Sequence, residues 1–125
     1  MEQITLKNDA GTDVVFAVVR QPSGSQSGIL HEVNTTSGMN RTGLAKLELS
    51  TRIVSGKTSP VASVVVPYGA VINGNFVKSG QVTETVSGTQ PADSPTTARL
   101  NAAAFGKNLL ANPQVIALFQ NGTLS

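Results

Sequence analysis

The sequence predicts an α+β domain in which an N-terminal β-hairpin plus a five-stranded antiparallel sheet is followed by two C-terminal helices. Two observations predict this class. Residues 1–87 contain segments in which apolar and polar residues alternate, separated by turns rich in Gly, Asn and Ser. Residues 94–121 instead repeat apolar residues at steps of three and four, which is the period of a helix. We therefore expect residues 1–125 to form one domain whose helices cover one face of a sheet.

The first 20 residues predict the hairpin. Two β-rich segments, Glu2–Lys7 and Asp13–Arg20, flank a turn of short polar residues at Asn8–Thr12. The next stretch predicts a flexible loop at Pro22–Gly28. A short strand at Ile29–Thr35 and a second loop at Thr36–Asn40 follow.

The sheet is predicted to span residues 29–87, and its clearest strand is Gly43–Val54. There Leu47 and Leu49 face one way, and polar residues face the other: Lys46, Glu48, Ser50 and Arg52. The remaining segments are a turn at Ser55–Ser59, a strand at Pro60–Val66, a long loop at Pro67–Gly80 and a last strand at Gln81–Ser87.

Two helices are predicted at the C-terminal end. Asp93 or Ser94 caps the first, and Pro95 suits its first turn. Its apolar face carries Ala98, Ala102, Phe105 and Leu109. Asn112-Pro113 separates it from a second, shorter helix, whose apolar residues are Val115, Ile116, Leu118 and Phe119 and which Asn121-Gly122 ends.

These helices are more apolar than one sheet face requires, because further apolar residues widen the stripe: Leu100, Ala103, Ala104, Leu110 and Ala111. Two explanations stay open. The helices are buried within their own domain, or they cover the sheet of a second chain in an obligate homodimer.

Charge is concentrated on one strand region. Four of the nine basic residues (Arg41, Lys46, Arg52 and Lys57) fall within residues 41–57, against the single acid Glu48. Lys46 and Arg52 share a face and lie about 20 Å apart at strand rise. This face is either a solvated surface or a binding face for nucleic acid, whose phosphates basic and hydroxyl side chains contact.

Other functional classes find little support in the sequence. The chain has no cysteine, which excludes disulfides and thiolate metal sites and fits a reducing compartment. It begins MEQITLKND, without the pattern of a signal peptide, and no apolar run approaches the ~20 residues that span a bilayer. His31 stands alone, and neither a phosphate loop nor a paired carboxylate site is visible. We expect no enzyme activity, cofactor, metal, membrane contact or small-molecule substrate.

The order of elements resembles that of the coat proteins of single-stranded RNA bacteriophages, the levivirus type. The local likenesses are Leu47–Arg52, Val82–Val86 and the helical tail ANPQVIALFQNGTL. The resemblance implies a homodimer with one continuous ten-stranded sheet, in which each subunit's helices clasp its partner. It also implies an icosahedral shell in the virion, assembled in the bacterial cytoplasm, with the sheet facing single-stranded genomic RNA. Many members also repress translation by binding an RNA hairpin.

Carried over by position, the resemblance implies three sets of site residues. The RNA-binding set is Lys46, Glu48, Ser50, Arg52, Ser63, Gln81, Thr83 and Thr85. The dimer-interface set is Ala102, Phe105, Leu109, Leu110, Val115, Leu118 and Phe119. The set in the loop between dimers is Asn73, Gly74, Asn75 and Phe76.

Two departures from the family pattern concern the RNA face. Glu48 replaces a neutral hydroxyl, and a carboxylate facing phosphate is unfavourable unless Lys46 or Arg52 neutralises it. Val61 and Val65 leave the next strand poor in polar contacts.

Two functions from other classes stay open as alternatives. The protein is a non-viral dimeric nucleic-acid-binding module, or it is an exported pilin-like or adhesin domain.

Overall fold

The computed structural model describes residues 1–24, 26–33 and 43–123, and the chain forms two compact units, Met1–Thr89 and Gln90–Ser125. The first unit contains the strands β1 (Ile4–Lys7), β2 (Asp13–Arg20), β3 (Gly28–Glu32), β4 (Lys46–Val54), β5 (Lys57–Ile72) and β6 (Asn75–Ser87). The second unit contains a short strand β7 (Gln90–Pro91) and the helices α1 (Thr96–Ala111) and α2 (Pro113–Asn121).

The strands β1 to β6 form one antiparallel sheet in sequence order. The predicted class, an antiparallel sheet followed by two helices, is therefore confirmed. The predicted N-terminal hairpin is present as β1 and β2, but it is continuous with the sheet, because β2 also pairs with β3. Part of the predicted strand Ile29–Thr35, the predicted loop Thr36–Asn40 and Arg41 lie outside the described residues.

Two tight turns connect the three longest strands. Ser55-Gly56 joins β4 to β5 with φ of 51° and 74°, and Asn73-Gly74 joins β5 to β6 with φ of 51° and 81°. Positive φ at both central residues is the geometry that suits a two-residue hairpin between twisted strands. The predicted turn at Ser55–Ser59 is therefore shorter than expected, since β5 already begins at Lys57.

The predicted long loop at Pro67–Gly80 is wrong. Only Asn73-Gly74 turns, and the rest continues β5 and β6 as a hairpin. The glycines that suggested a loop have other roles. Gly69 lies beside a bulge in the β5–β6 pairing, where a Cβ would overlap the carbonyl oxygen of Val77, and Gly80 lies against the ring of Tyr68.

The core of the first unit lies on one face of the sheet. Phe16, Leu30 and Leu47 are buried, and partly buried residues pack against them: Ile4, Val14, Val18, Ala45, Leu49 and Val64. Strand register explains this arrangement, because Leu30 pairs with Val18 and Leu47. Farther along this apolar face, side chains on β5 and β6 remain exposed: Val66, Tyr68, Val82 and Val86.

The helix boundaries follow the predicted signals in part. Asn112 ends α1 and caps α2, where its side chain accepts a hydrogen bond from the Gln114 backbone N–H at 2.9 Å. Gly122 ends α2 in a left-handed conformation. The predicted cap of α1 is wrong: Pro95 occupies the capping position without a side-chain bond, and the Ser94 hydroxyl donates instead to the Pro91 carbonyl at 2.7 Å.

Candidate nucleic-acid interface

The strand register brings the predicted RNA-binding residues onto one face, opposite the buried core. Two rows of paired residues cross the three strands β4, β5 and β6. The first row is Lys46, Val65 and Thr83, and the second is Glu48, Ser63 and Thr85. Ser50, Arg52 and Gln81 lie on the same face, since their register partners are Val61, Ser59 and Pro67. We refer to this side of the sheet as the polar face.

Hydroxyl groups form the centre of the polar face. The Ser63 and Thr85 side-chain oxygens are 3.1 Å apart and share a hydrogen bond. Each hydroxyl can both donate and accept, so the pair keeps capacity to bind a phosphate or a base edge. One group of Gln81 already has a partner within the chain, since its side-chain oxygen accepts a hydrogen bond from Lys78 Nζ at 2.6 Å.

Glu48 is held by a partner that the sequence did not reveal. Its carboxylate accepts a hydrogen bond from the Ser27 hydroxyl at 2.6 Å. That hydroxyl in turn accepts from Arg20 Nη2 at 3.0 Å, and Arg20 Nε donates to the Ser27 carbonyl at 2.9 Å. Among the described residues, neither Lys46 nor Arg52 forms an ion pair with Glu48, and the hydrogen bonds of its carboxylate lead through Ser27 to Arg20.

Arg20 is the polar-face residue that sequence reasoning missed. The β2–β3 register shifts between Val18 and Arg20, so Val18 pairs with Leu30 and Arg20 pairs with Ile29. Strict alternation would place Arg20 on the same side as Val18, and the irregularity moves it to the side of Glu48. No residue type at positions 18–20 signals this shift, because a bulge depends on the partner strand.

The polar face carries more positive than negative charge. Among the described residues, this face carries the basic side chains of Arg20, Lys46 and Arg52 beside the carboxylate of Glu48. The carboxylate of Asp13, at the start of β2, is paired with Lys7 of β1 at 2.7 Å. This excess of positive charge favours binding of a polyanion. The basic residues lie on separate strands of an open sheet face, which favours contacts to several phosphates over one deep pocket.

The predicted dimer-interface residues lie on α1 and α2, where no residue is buried in the single chain. Phe105 is 72% exposed, Leu109 58% and Phe119 48%. Ala102 and Leu110 are also exposed, and Val115 and Leu118 are half-buried.

The predicted inter-dimer residues Asn73, Gly74, Asn75 and Phe76 occupy the tip of the β5–β6 hairpin. Phe76 pairs with Val71 and is half-buried, whereas Val71, Ile72 and Val77 beside it are exposed. The tip is therefore a regular β-hairpin with exposed apolar side chains and not the irregular loop that was expected.

None of the helices within residues 1–24, 26–33 and 43–123 is long and apolar enough to cross a membrane. No three side chains of His, Asp or Glu in these ranges come together as a possible metal site.

Comparison with known proteins gives fold likenesses only. No family model matches the chain, and no curated protein matches it. Among solved structures, a virus-like particle of Beihai levi-like virus 21 aligns with TM-score 0.84 and 20% identity, over 98% of this chain and 95% of that one. A virus-like particle of bacteriophage NT-214 aligns with TM-score 0.84 and 13% identity, over 100% and 98%. The bacteriophage GA protein capsid aligns with TM-score 0.67 and 18% identity, over 94% and 92%.

The chain therefore has the fold of the levivirus-type phage coat proteins, as the resemblance in the sequence predicted. With identities of 20% or less, these likenesses establish the fold, and the function has to be argued from the surfaces described above.

Proposed function

We propose that this chain is the structural subunit of a viral capsid, a non-enzymatic protein that assembles with its own copies in the bacterial cytoplasm and resides in the virion. The observation that carries this proposal is the fold shared over nearly the whole chain with subunits of named virus-like particles. Three surfaces of the molecule support it: the helices, the hairpin tip and the polar face.

The first step of assembly is a homodimer in which α1 and α2 of one copy cover the apolar face of the other. The exposed helical side chains and the exposed valines of β5 and β6 are complementary in chemistry, since both surfaces are apolar. An exposed apolar surface of this kind is typical of an interaction site. In addition, β6 ends the strand order of the described sheet, so its outer edge is open to pairing with a second β6.

The second step joins dimers through the hairpin tip around Asn73-Gly74. The apolar side chains of Val71, Ile72 and Val77 are exposed there in a single copy. Contact with other copies would bury them together with Phe76, and the tight turn holds the tip in one shape for that contact.

The polar face binds single-stranded RNA. Lys46 and Arg52 contact phosphates, and the neutral groups that contact the RNA beside them are Ser50, Ser63, Gln81, Thr83 and Thr85. Glu48 lies among them with its carboxylate already bound by Ser27. The affinity falls as salt rises, because binding releases counterions from the RNA. Translational repression through an RNA hairpin would use the same face.

Electron microscopy and nuclease protection of the full chain expressed in bacteria test this function. We expect closed particles that contain host RNA protected from nuclease. A small dimer that binds nucleic acid but forms no particles at any concentration would support the alternative, a non-viral nucleic-acid-binding module. A monomer without nucleic acid would contradict both.

A further inference from the structure

The hydrogen-bond chain of Arg20, Ser27 and Glu48 lies at the β2–β3 corner of the polar face. Ser27 is its centre, since its hydroxyl donates to Glu48 at 2.6 Å and accepts from Arg20 at 3.0 Å. The Ser27 carbonyl accepts a second bond from Arg20 at 2.9 Å. Two bonds to one residue fix the plane of the guanidinium group.

Arg20 keeps most of its binding capacity in this arrangement. An arginine side chain has five N–H donors, and the two bonds to Ser27 use two of them within the described residues. Counting only bonds to the described residues, three donors are left for a ligand, on a guanidinium that is half-buried and already oriented. A pre-oriented arginine loses little side-chain entropy on binding, and its planar fork matches the oxygens of phosphate.

We propose that Arg20 is a phosphate-binding subsite for the backbone of single-stranded RNA, and that Ser27 and Glu48 are positioning residues that hold its guanidinium. The subsite rests on the proposed RNA-binding face and extends it from β4 to β2. Glu48 is accordingly not an RNA ligand, although its position on the strand suggested one.

The strand register supports RNA as the ligand. Arg20, Ile29, Glu48, Ser63 and Thr85 form one row of paired residues across five strands. At the usual strand spacing this row is about 19 Å long. A guanidinium therefore begins the row and a hydroxyl pair ends it, which provides phosphate contacts along a track and not at one point.

A competing explanation is that the three residues only tie the segment before β3 to β4. The two explanations differ in salt dependence. A phosphate contact contributes about 0.7 to the slope of log K against log salt for a single strand, whereas a structural tie changes the unfolding temperature and leaves the slope unchanged.

The test measures binding of a labelled 20-nucleotide oligouridylate to the full-length protein by fluorescence anisotropy at several salt concentrations. The variants are Arg20→Ala, Arg20→Lys, Ser27→Ala and Glu48→Gln, each with its thermal unfolding. Arg20→Ala should weaken binding about tenfold, as expected for a lost charged hydrogen bond, and lower the slope by about 0.7. Arg20→Lys should keep the slope but bind more weakly, because lysine lacks the planar guanidinium that can donate two parallel hydrogen bonds to a phosphate.

The two positioning residues give different signatures. Ser27→Ala should weaken binding and leave the slope of log K against log salt unchanged. Arg20 keeps its charge in this variant but loses the Ser27 hydroxyl that orients its guanidinium. Glu48→Gln keeps an oxygen that accepts from Ser27 and removes a negative charge near the phosphate. It should therefore tighten binding, about threefold for charges ~7 Å apart in water.

The subsite is wrong if Arg20→Ala and Arg20→Lys both keep the wild-type slope and affinity, whatever happens to the unfolding temperature. Should Arg20→Ala fail to fold, Arg20→Lys and Glu48→Gln decide, and unchanged affinity in both rejects the subsite. The Lys46→Ala, Arg52→Ala double variant separates this outcome from failure of the proposed function. If that variant loses slope while Arg20→Ala does not, only the subsite fails; if the wild type binds no RNA, the RNA-binding face itself fails.

Discussion

Replacing Phe105 by Ala should weaken the dimer without unfolding the subunit. Phe105 is 72% exposed in the single chain, so its ring contributes little to the stability of one copy. Fully burying a phenylalanine side chain is worth about 1.5–3 kcal/mol, and the share still exposed therefore represents about 1–2 kcal/mol per copy on dimerisation. A two-fold dimer contains the contact twice, which gives about 2–4 kcal/mol, or about 30- to 700-fold in Kd.

Sedimentation equilibrium of the subunit in conditions that prevent shell assembly measures this Kd. Alanine is a better helix former than phenylalanine, so the helix content from circular dichroism should not fall. Thr5→Ala provides the control, because Thr5 is exposed on β1 and its register partner Val15 places it on the face of the sheet opposite Phe16. A dimer Kd that Phe105→Ala leaves within twofold of wild type would reject α1 as part of the interface.

Three further changes test the other surfaces. Lys46→Ala combined with Arg52→Ala should leave the dimer intact and reduce packaged RNA, measured as the absorbance ratio at 260 and 280 nm; unchanged RNA content would remove these residues from the RNA-binding face. Phe76→Gly should leave dimers intact but impair shell closure in electron micrographs, and normal particles would contradict the role of the hairpin tip. Gly69→Ala should lower the free energy of unfolding by about 1–3 kcal/mol, because its methyl group would overlap the carbonyl of Val77; a wild-type denaturation midpoint would show that the bulge relaxes at little cost.

Local signals were sufficient wherever a short pattern decides the structure. Alternation placed Leu47 on the buried face and Lys46 on the opposite one. The break at Asn112-Pro113 and the end at Gly122 also follow from the chain itself, since a proline and a left-handed glycine act on their immediate neighbours.

The loop predicted at Pro67–Gly80 shows where local signals mislead. Glycine is a frequent loop residue, but Gly69 and Gly80 lie within strands because another group occupies the space of a side chain. That group is the Val77 carbonyl in one case and the Tyr68 ring in the other. Both neighbours lie on the opposite strand, which the local sequence around each glycine does not reveal.

The sequence by itself determined the order of the strands and helices and the polar character of one side of the sheet, because these depend on residue spacing within single segments. The tertiary structure alone decided that Arg20 joins the polar face and that Ser27 binds Glu48. Both depend on how β2, β3 and the residues between them pair, since a bulge and a bond across 21 residues are properties of strand register. Register is fixed only when the strands come together.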